Sequence, residues 1–272
     1  MLHLQPATCN KQTKIMTYSP NYSNFLNFAL DASWQAGRVT LGHFQTGVAV
    51  RRKADNTPLT IADQQAEQKL RQLIEQYWPE HNIVGEEYGR TNHNSPYTWV
   101  CDPIDGTKSF MCGVPLYANL VALLHEGEPI VGVINLPALN EMVYAVKGGG
   151  CFWNGRPAHV SETKNLADAV VLRSELENPE RDGRQAAWQK LVKASYVQRT
   201  WGDAYGYSLV ATGRADVMVD PIMSLWDIAP LQVILEEAGG TLTDWQGEPT
   251  IHHEEAIATN GHLLPAVLDL VR

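Results

Sequence analysis

An apolar run that ends in two aspartates, a proline and a glycine leaves a chain few options, and residues 99–110 read Trp-Val-Cys-Asp-Pro-Ile-Asp-Gly-Thr-Lys-Ser-Phe. Pro103 cannot donate to a ladder and Gly106 tolerates dihedrals that side chains resist, so a strand through Val100 is expected to stop at Asp102 and turn. Asp102 and Asp105 then share a tight loop, where carboxylates and free backbone N–H groups can face one point. Hard divalent cations are bound by such oxygen clusters, Mg²⁺ through a few carboxylates plus water and substrate phosphate. A plain polar turn has the same composition, because Asp, Pro and Gly dominate turns for local reasons. The rest of the chain has to separate a metal and phosphate site from a polar turn.

Upstream, Phe25, Leu26, Phe28, Ala29, Ala32, Ala36 and Val39 recur near helical spacing after Ser23, which predicts a first helix over 25–41. Thr60-Ile61-Ala62-Asp63 has the form of a capping box, followed by Ala66, Leu70, Leu73, Ile74 and Tyr77 on one face of a second helix ending before Pro79. Asp63 is either that cap alone or, from a helix N-terminus, also the partner of a hydroxyl at the site. Asn82-Ile83-Val84-Gly85 reads as a short strand delivering Glu86 and Glu87 into a loop. Adjacent glutamates usually mean solvated surface. These end an apolar strand as Asp102 does, so one of them is expected to point at the same place.

Downstream, 117–125, 130–135 and 141–146 are strand-length runs joined by Glu126-Gly127-Glu128-Pro129 and by a turn after Pro137, which predicts an antiparallel meander. Gly148-Gly149-Gly150 and Asn154-Gly155 punctuate its last hairpins; no helix follows the glycines directly, so they are not read as a phosphate loop. From residue 169, strands at 169–172, 196–199, 215–219, 241–243 and 256–259 alternate with helices at 185–193, 205–212, 225–238 and 263–271. Asp227, near the start of the third of these helices, suits a helix N-terminus for dipole reasons alone. Its functional reading is the third side of an oxygen cage. A meander with flanking helices, joined to an alternating half, predicts a layered α/β (α+β) architecture. Residues 21–272 are read as one domain, with halves meeting near 165–166. Residues 1–20 lack the apolar core of a signal peptide and are read as a disordered leader.

A net charge of -9 argues against nucleic acid as a partner, and leaves metal to supply most of the positive charge for a phosphorylated substrate. No apolar run approaches the roughly 18 residues of a membrane span. Cys9, Cys101, Cys112 and Cys151 show no metal spacing and suit free thiols in a reducing cytoplasm. His252-His253-Glu254-Glu255 lacks a helical i, i+4 pair and reads as a surface loop.

Gly85-Glu86-Glu87, Asp102-Pro103-Ile104-Asp105-Gly106-Thr107 and Leu225-Trp226-Asp227-Ile228-Ala229-Pro230 together resemble, in order and approximate spacing, the inositol-monophosphatase-like family of Mg²⁺-dependent phosphatases. The resemblance covers residues 20–270 and implies the αβαβα sandwich of that sugar-phosphatase-like fold, usually assembled as a homodimer. It implies two or more Mg²⁺ per site, held by Glu86, Asp102, Asp105, Asp227, the Ile104 carbonyl and the Thr107 hydroxyl, with Asp63 hydrogen-bonded to Thr107. Glu86, Thr107 and Asp63 are then the catalytic group, Thr107 with Asp63 positioning and deprotonating the attacking water. The N–H groups of Gly106 and Thr107 then receive the phosphate, and Asp105 is a further substrate-binding residue. The resemblance also implies that no phosphoenzyme forms.

Three features are similar to the histidinol-phosphatase branch: Asp105 to Phe110 followed by Gly113-Val114-Pro115 and Asn119 to Leu123; the segment Trp201 to Tyr207; and Asp220, where the family places a residue that contacts the leaving group. Histidinol phosphate carries an ammonium and an imidazole, which want carboxylate partners, and Asp203 and Asp220 supply them. Asp203 could instead cap the helix that starts near Tyr205. A substrate with a second phosphate would ask for basic residues here, and Arg199 and Arg214 are the only candidates. The expectation is a cytoplasmic histidinol-phosphate phosphatase acting on a small phosphorylated metabolite. An inositol-1-phosphate or broad sugar-monophosphate phosphatase is the alternative, and a non-catalytic metal or phosphosugar-binding protein the alternative of another class. A haloacid-dehalogenase-type loop is set aside, because two residues separate the aspartates and the loop lies a third of the way along the chain.

Overall fold

The computed structural model describes residues 20–53, 57–174 and 184–272. The leader expected over 1–20 falls outside these residues except at Pro20, where the first helix opens. In chain order the first half contains α1 (Pro20–His43), β1 (Arg51–Arg52), β2 (Pro58–Leu59), α2 (Ile61–Tyr77), β3 (Asn82–Gly85), β4 (Gly89–Arg90), β5 (Tyr97–Asp105), α3 (Thr107–Met111), β6 (Ala118–His125), β7 (Glu128–Leu136), β8 (Glu141–Val146), β9 (Gly150–Trp153) and β10 (Arg156–Ala158). The second contains β11 (Val170–Arg173), α4 (Gln185–Ala194), β12 (Val197–Arg199), α5 (Asp203–Ala211), β13 (Val217–Asp220), α6 (Leu225–Glu237), β14 (Thr241–Thr243), β15 (Ala256–Thr259) and α7 (Leu264–Val271).

The meander closes an eight-stranded sheet of order β10-β9-β8-β7-β6-β5-β3-β4, in which only β3 and β5 run parallel. The second half forms a five-stranded sheet of order β12-β11-β13-β15-β14, parallel across its first three strands and antiparallel across the rest. Helices α1 and α2 cover one face of the large sheet, with Phe25, Ala29, Ala36, Leu70 and Ile74 packed on Trp99, Cys101, Val121 and Val133. On its other face Val100, Leu120 and Ile134 meet Tyr207 of α5 and Ile228, Leu231 and Ile234 of α6, which in turn meet Leu172, Met218 and Ala258 of the small sheet. Trp188 and Val267, from α4 and α7, close the outer face over Val171, Val217 and Ile257. The layers are therefore αβαβα, as the resemblance implies.

Helix α6 explains the tight middle layer. It is apolar on nearly every side, as a helix between two sheets must be. It lies so close to β7 that a Cβ on Gly132 would sit 2.3 Å from the Pro230 carbonyl.

One expectation is corrected. The strand does not stop at Asp102. β5 pairs with β6 as far as Asp102 opposite Leu120, slips past Pro103 and Ile104, and pairs again at Asp105 opposite Ala118. The proline falls in the irregularity, where no ladder donor is needed. Its carbonyl accepts the Asn119 side-chain amide, which the Asn135 amide supports in turn.

Candidate active site

Alternation along β5 sends Trp99 and Cys101 toward α1 and α2 and Val100 toward the middle layer, so Asp102 is turned to the side from which α6 arrives. Asp227 stands in the first turn of α6, where its carboxylate accepts the Ser224 N–H at 2.7 Å and closes a capping box. The capping role and the cage role thus fall on one side chain. Asp102, Asp105 and Asp227 bring carboxylate oxygens within 4.8 Å of one another. Burial pushes Asp102 and Asp105 well above the usual carboxylate range. Like charge adds to this, from Glu86 and Asp227 at Asp102, and from Asp203 and Asp227 at Asp105. Burial also carries Asp227 up to about 7, against the Ser224 hydrogen bond. Buried carboxylates in such contact repel as anions, and a hard divalent cation relieves them. The donor set is all oxygen, which fits Mg²⁺ and not a soft metal.

Gly106 turns the chain out of β5 with φ +80, and a Cβ there would lie 2.9 Å from Asp203 Oδ2 and 3.1 Å from the Leu116 carbonyl. Helix α3 starts directly after it, with no side chain capping its first N–H groups. Thr107 Oγ1 donates to the Ile104 carbonyl at 2.9 Å and lies 3.5 Å from Asp63 Oδ1, the outer limit of a hydrogen bond. Asp63 Oδ2 meanwhile accepts the Thr60 N–H at 2.7 Å and its hydroxyl at 2.6 Å. One oxygen caps α2 while the other faces Thr107. Burial raises the Asp63 pKa, the Thr60 hydrogen bonds oppose this, and the Glu86 charge adds to it.

Glu86 comes from β3, which runs parallel to β5; the Glu86 N–H meets the Cys101 carbonyl at 3.3 Å. Glu86 lines the open cleft with Asp102, Asp105, Thr107 and Asp227, and Glu87 does not. Lys53, beyond β1, spans the pair with Nζ 2.7 Å from each carboxylate. Burial pushes Glu87 up to about 7, with Lys53 holding it down and Glu86 raising it.

Behind the cleft lies a cavity of about 130 Å³ lined by Asp105, Arg173, Ser174, Asp203, Tyr207 and Asp220, among others. Asp203 is not the cap of α5, a place taken by Gly202. It has φ +53, a left-handed conformation that costs a residue with a side chain, and its N–H donates to Ser174 Oγ at 2.8 Å. The first turn of α5 serves Asp105, whose Oδ2 accepts the Ala204 N–H at 2.6 Å. Asp220 accepts the Ser174 N–H at 3.2 Å, the Ser174 hydroxyl at 2.9 Å and the Tyr207 hydroxyl at 3.0 Å. Burial pushes Asp220 up to about 7, with the Asp203 charge adding.

The basic residues of this region are not the expected ones. Arg199 lies over Trp201, and Arg214 pairs with Glu141 and covers Trp153. Arg173, only 2% exposed, lines the cavity instead, with Nη1 3.4 Å from Gln185 Oε1. The segment at His252 falls in bends, as a surface loop does, and ties His253 Nδ1 to Asp244 at 2.7 Å. Arg173, Ser174 and Lys53 join the site through contacts between distant segments, for which the sequence carries no local signal. Glu67 and Arg71 do have one: with Asp63 they recur every fourth residue on α2, and a charged stripe there is unexpected.

Comparison with known proteins bears on this acid-lined cleft as a whole. The model of the inositol monophosphatase family matches residues 21–272. A histidinol-phosphatase of Chlorobaculum parvum is 42% identical over 236 residues, covering 86% of this chain and 91% of the relative. A fructose-1,6-bisphosphatase/inositol-1-monophosphatase of Aquifex aeolicus is 31% identical over 237 residues, covering 84% and 88%. The solved extragenic suppressor protein suhB of Bartonella henselae is similar with a TM-score of 0.87 at 26% identity, over 92% of this chain and 98% of that one. Fold and family make the protein a phosphoric monoester hydrolase. The chain belongs to the inositol monophosphatase family. Among the described residues no helix is long and apolar enough to cross a membrane.

Proposed function

We propose that the chain is a Mg²⁺-dependent histidinol-phosphate phosphatase, releasing L-histidinol and phosphate. The observation that carries this reading is the convergence of Asp203 and Asp220 on the cavity behind the cleft. An ammonium and an imidazole entering that cavity meet carboxylates, and charge-assisted hydrogen bonds are the strong ones. The similarity to a histidinol-phosphatase of Chlorobaculum parvum supports the same substrate.

Glu86, Asp102, Asp105, Asp227, the Ile104 carbonyl and the Thr107 hydroxyl would hold two or more Mg²⁺. Mg²⁺ bound there supplies the positive charge that phosphoryl transfer needs and makes water nucleophilic near neutral pH. The chain's own groups do the rest. Thr107 Oγ1, backed by Asp63 Oδ1, orients the attacking water and takes its proton while passing its own to Asp63. The N–H groups of Gly106 and Thr107 donate to the phosphoryl oxygens, and Asp105 sits between phosphate and leaving group. The water oxygen bonds to phosphorus as the bond to the histidinol oxygen breaks, and that oxygen leaves with a proton from solvent water. Residues 21–272 act as one domain, which we read as a homodimer in the cytoplasm.

The inositol-1-phosphate or broad sugar-monophosphate alternative draws support from Arg173, a cation in a cavity otherwise rich in carboxylates. Phosphate release from histidinol phosphate, inositol 1-phosphate and fructose 1,6-bisphosphate, measured side by side with Mg²⁺, tests the reading. The expected result is a clear preference for histidinol phosphate. Equal or better turnover of the polyol phosphates moves the assignment to the alternative, and a trapped phosphoaspartate overturns the mechanism.

A further inference from the structure

Helix α2 carries Asp63, Glu67 and Arg71 one turn apart on one face, and only the first has a place in the mechanism above. Glu67 is fully buried. Its Oε2 accepts the Glu87 N–H at 2.6 Å, while Oε1 accepts the Tyr88 N–H at 3.2 Å and Arg71 Nε at 2.8 Å. Arg71 reaches on to the Gly89 carbonyl with its guanidinium 5.9 Å from the Tyr88 ring, and Gln68 Nε2 donates to the Tyr88 hydroxyl at 2.7 Å. A Cβ on Gly85 would sit 2.0 Å from Glu67 Oε1. The carboxylate therefore occupies the space that any side chain at residue 85 would need. A buried carboxylate is stable where donors satisfy it, and here two of the donors are backbone groups of the turn that carries Glu86.

We infer that Glu67 is a positioning residue: its carboxylate fixes the turn over 85–88, so that Glu86 is presented to the cluster of Asp102, Asp105 and Asp227. Because Asp63 stands one turn earlier on the same helix, α2 also sets the distance between Glu86 and the Asp63–Thr107 pair. Removing the carboxylate leaves two part-buried N–H groups and Arg71 without their acceptor, and the turn loses its anchor. The inference rests on the reading of Glu86 as a Mg²⁺ ligand.

The test is Mg²⁺ binding by calorimetry on the full chain without substrate, with thermal unfolding as the control for folding. Glu67→Gln keeps the shape and removes the charge, and should weaken Mg²⁺ binding about 10–100-fold, the range typical of residues that support a ligand. The Mg²⁺ concentration for half-maximal activity should rise by the same factor, and KM at saturating Mg²⁺ should not change. Glu86→Gln separates the two claims. If it binds Mg²⁺ as the native chain does, the ligand reading fails. If Glu86→Gln is weakened and a folded Glu67→Gln is not, the positioning inference is overturned. Should Glu67→Gln fail to fold, Gly85→Ala asks the same question from the other side, since its methyl must displace the carboxylate. Gly85→Ala should weaken Mg²⁺ binding about 10–100-fold in a chain that unfolds cooperatively. Native Mg²⁺ affinity in a folded Gly85→Ala overturns the inference.

Discussion

Two groups of carboxylates meet at Asp105, and the chain furnishes them differently. Asp220 receives three donors from its own protein, two from Ser174 and one from Tyr207. Asp102, Asp105 and Asp227 receive one backbone N–H each, from Ile104, Ala204 and Ser224, and otherwise face one another. A carboxylate completed by its own chain is held rigidly and can read an organic group. Carboxylates left to face like charge need a cation before they are stable as anions. The first group suits selectivity, and the second suits chemistry common to all phosphomonoesters.

The largest effect should come from Asp102→Asn, which we expect to abolish turnover of every substrate. The loss should exceed the roughly 10–100-fold of a supporting residue, read as phosphate release at saturating Mg²⁺. With chelator present the same variant should unfold at a higher temperature than the native chain, because a repelling charge is gone. A lower unfolding temperature would mean that the three carboxylates do not strain one another.

Next is the pH dependence of stability. The folded-state pKa values of Asp220 and Asp227 lie near 7 against an ordinary 3.8, so their stabilisation is present below 3.8 and is lost as pH rises toward 7. In chelator, denaturant midpoints should fall over that interval. Mg²⁺ should flatten the slope and add about 2.7 kcal/mol at a hundred times its Kd. A slope that Mg²⁺ leaves untouched would place its origin at Asp220 alone.

Asp220→Asn should act on selectivity, lowering kcat/KM for histidinol phosphate about 10–100-fold relative to inositol 1-phosphate, the worth of a hydrogen bond to a charged group. Equal losses on both substrates would dissolve the division of labour between the two groups. The smallest effect is expected from Tyr207→Phe, which removes one of three donors to Asp220. It should shift the same ratio only a few-fold, as a single hydrogen bond does.

What was legible in the sequence was local. The Thr60–Asp63 box, the meander and the alternation of the second half follow from caps, turns and periodicity. The Asp102, Asp105 and Asp227 cluster was legible as chemistry. The end of β5 was misread, because Pro103 forbids a ladder bond only where one is required, and a slipped register removes that requirement. Asp203 was read as a substrate contact with a helix cap as the alternative; Gly202 takes the cap, and the helix N-terminus serves Asp105. Lys53, Arg173 and Ser174 come to the site from segments distant in sequence, and no propensity records such meetings. Glu67 was passed over in the sequence, because its partners, the Glu87 and Tyr88 N–H groups, come from another segment.

The position of α6 between the two sheets also bears on how the protein is made. During synthesis the large sheet is complete by residue 158, long before Leu225–Glu237 leaves the ribosome. Until then Val100, Leu120 and Ile134 have no cover from the middle layer, and Asp102 and Asp105 lack Asp227. A chain cut short before α6 therefore exposes an apolar face prone to association, and carries the carboxylate cluster without Asp227. The cluster of Asp102, Asp105 and Asp227 is complete only once α6 has packed between the sheets.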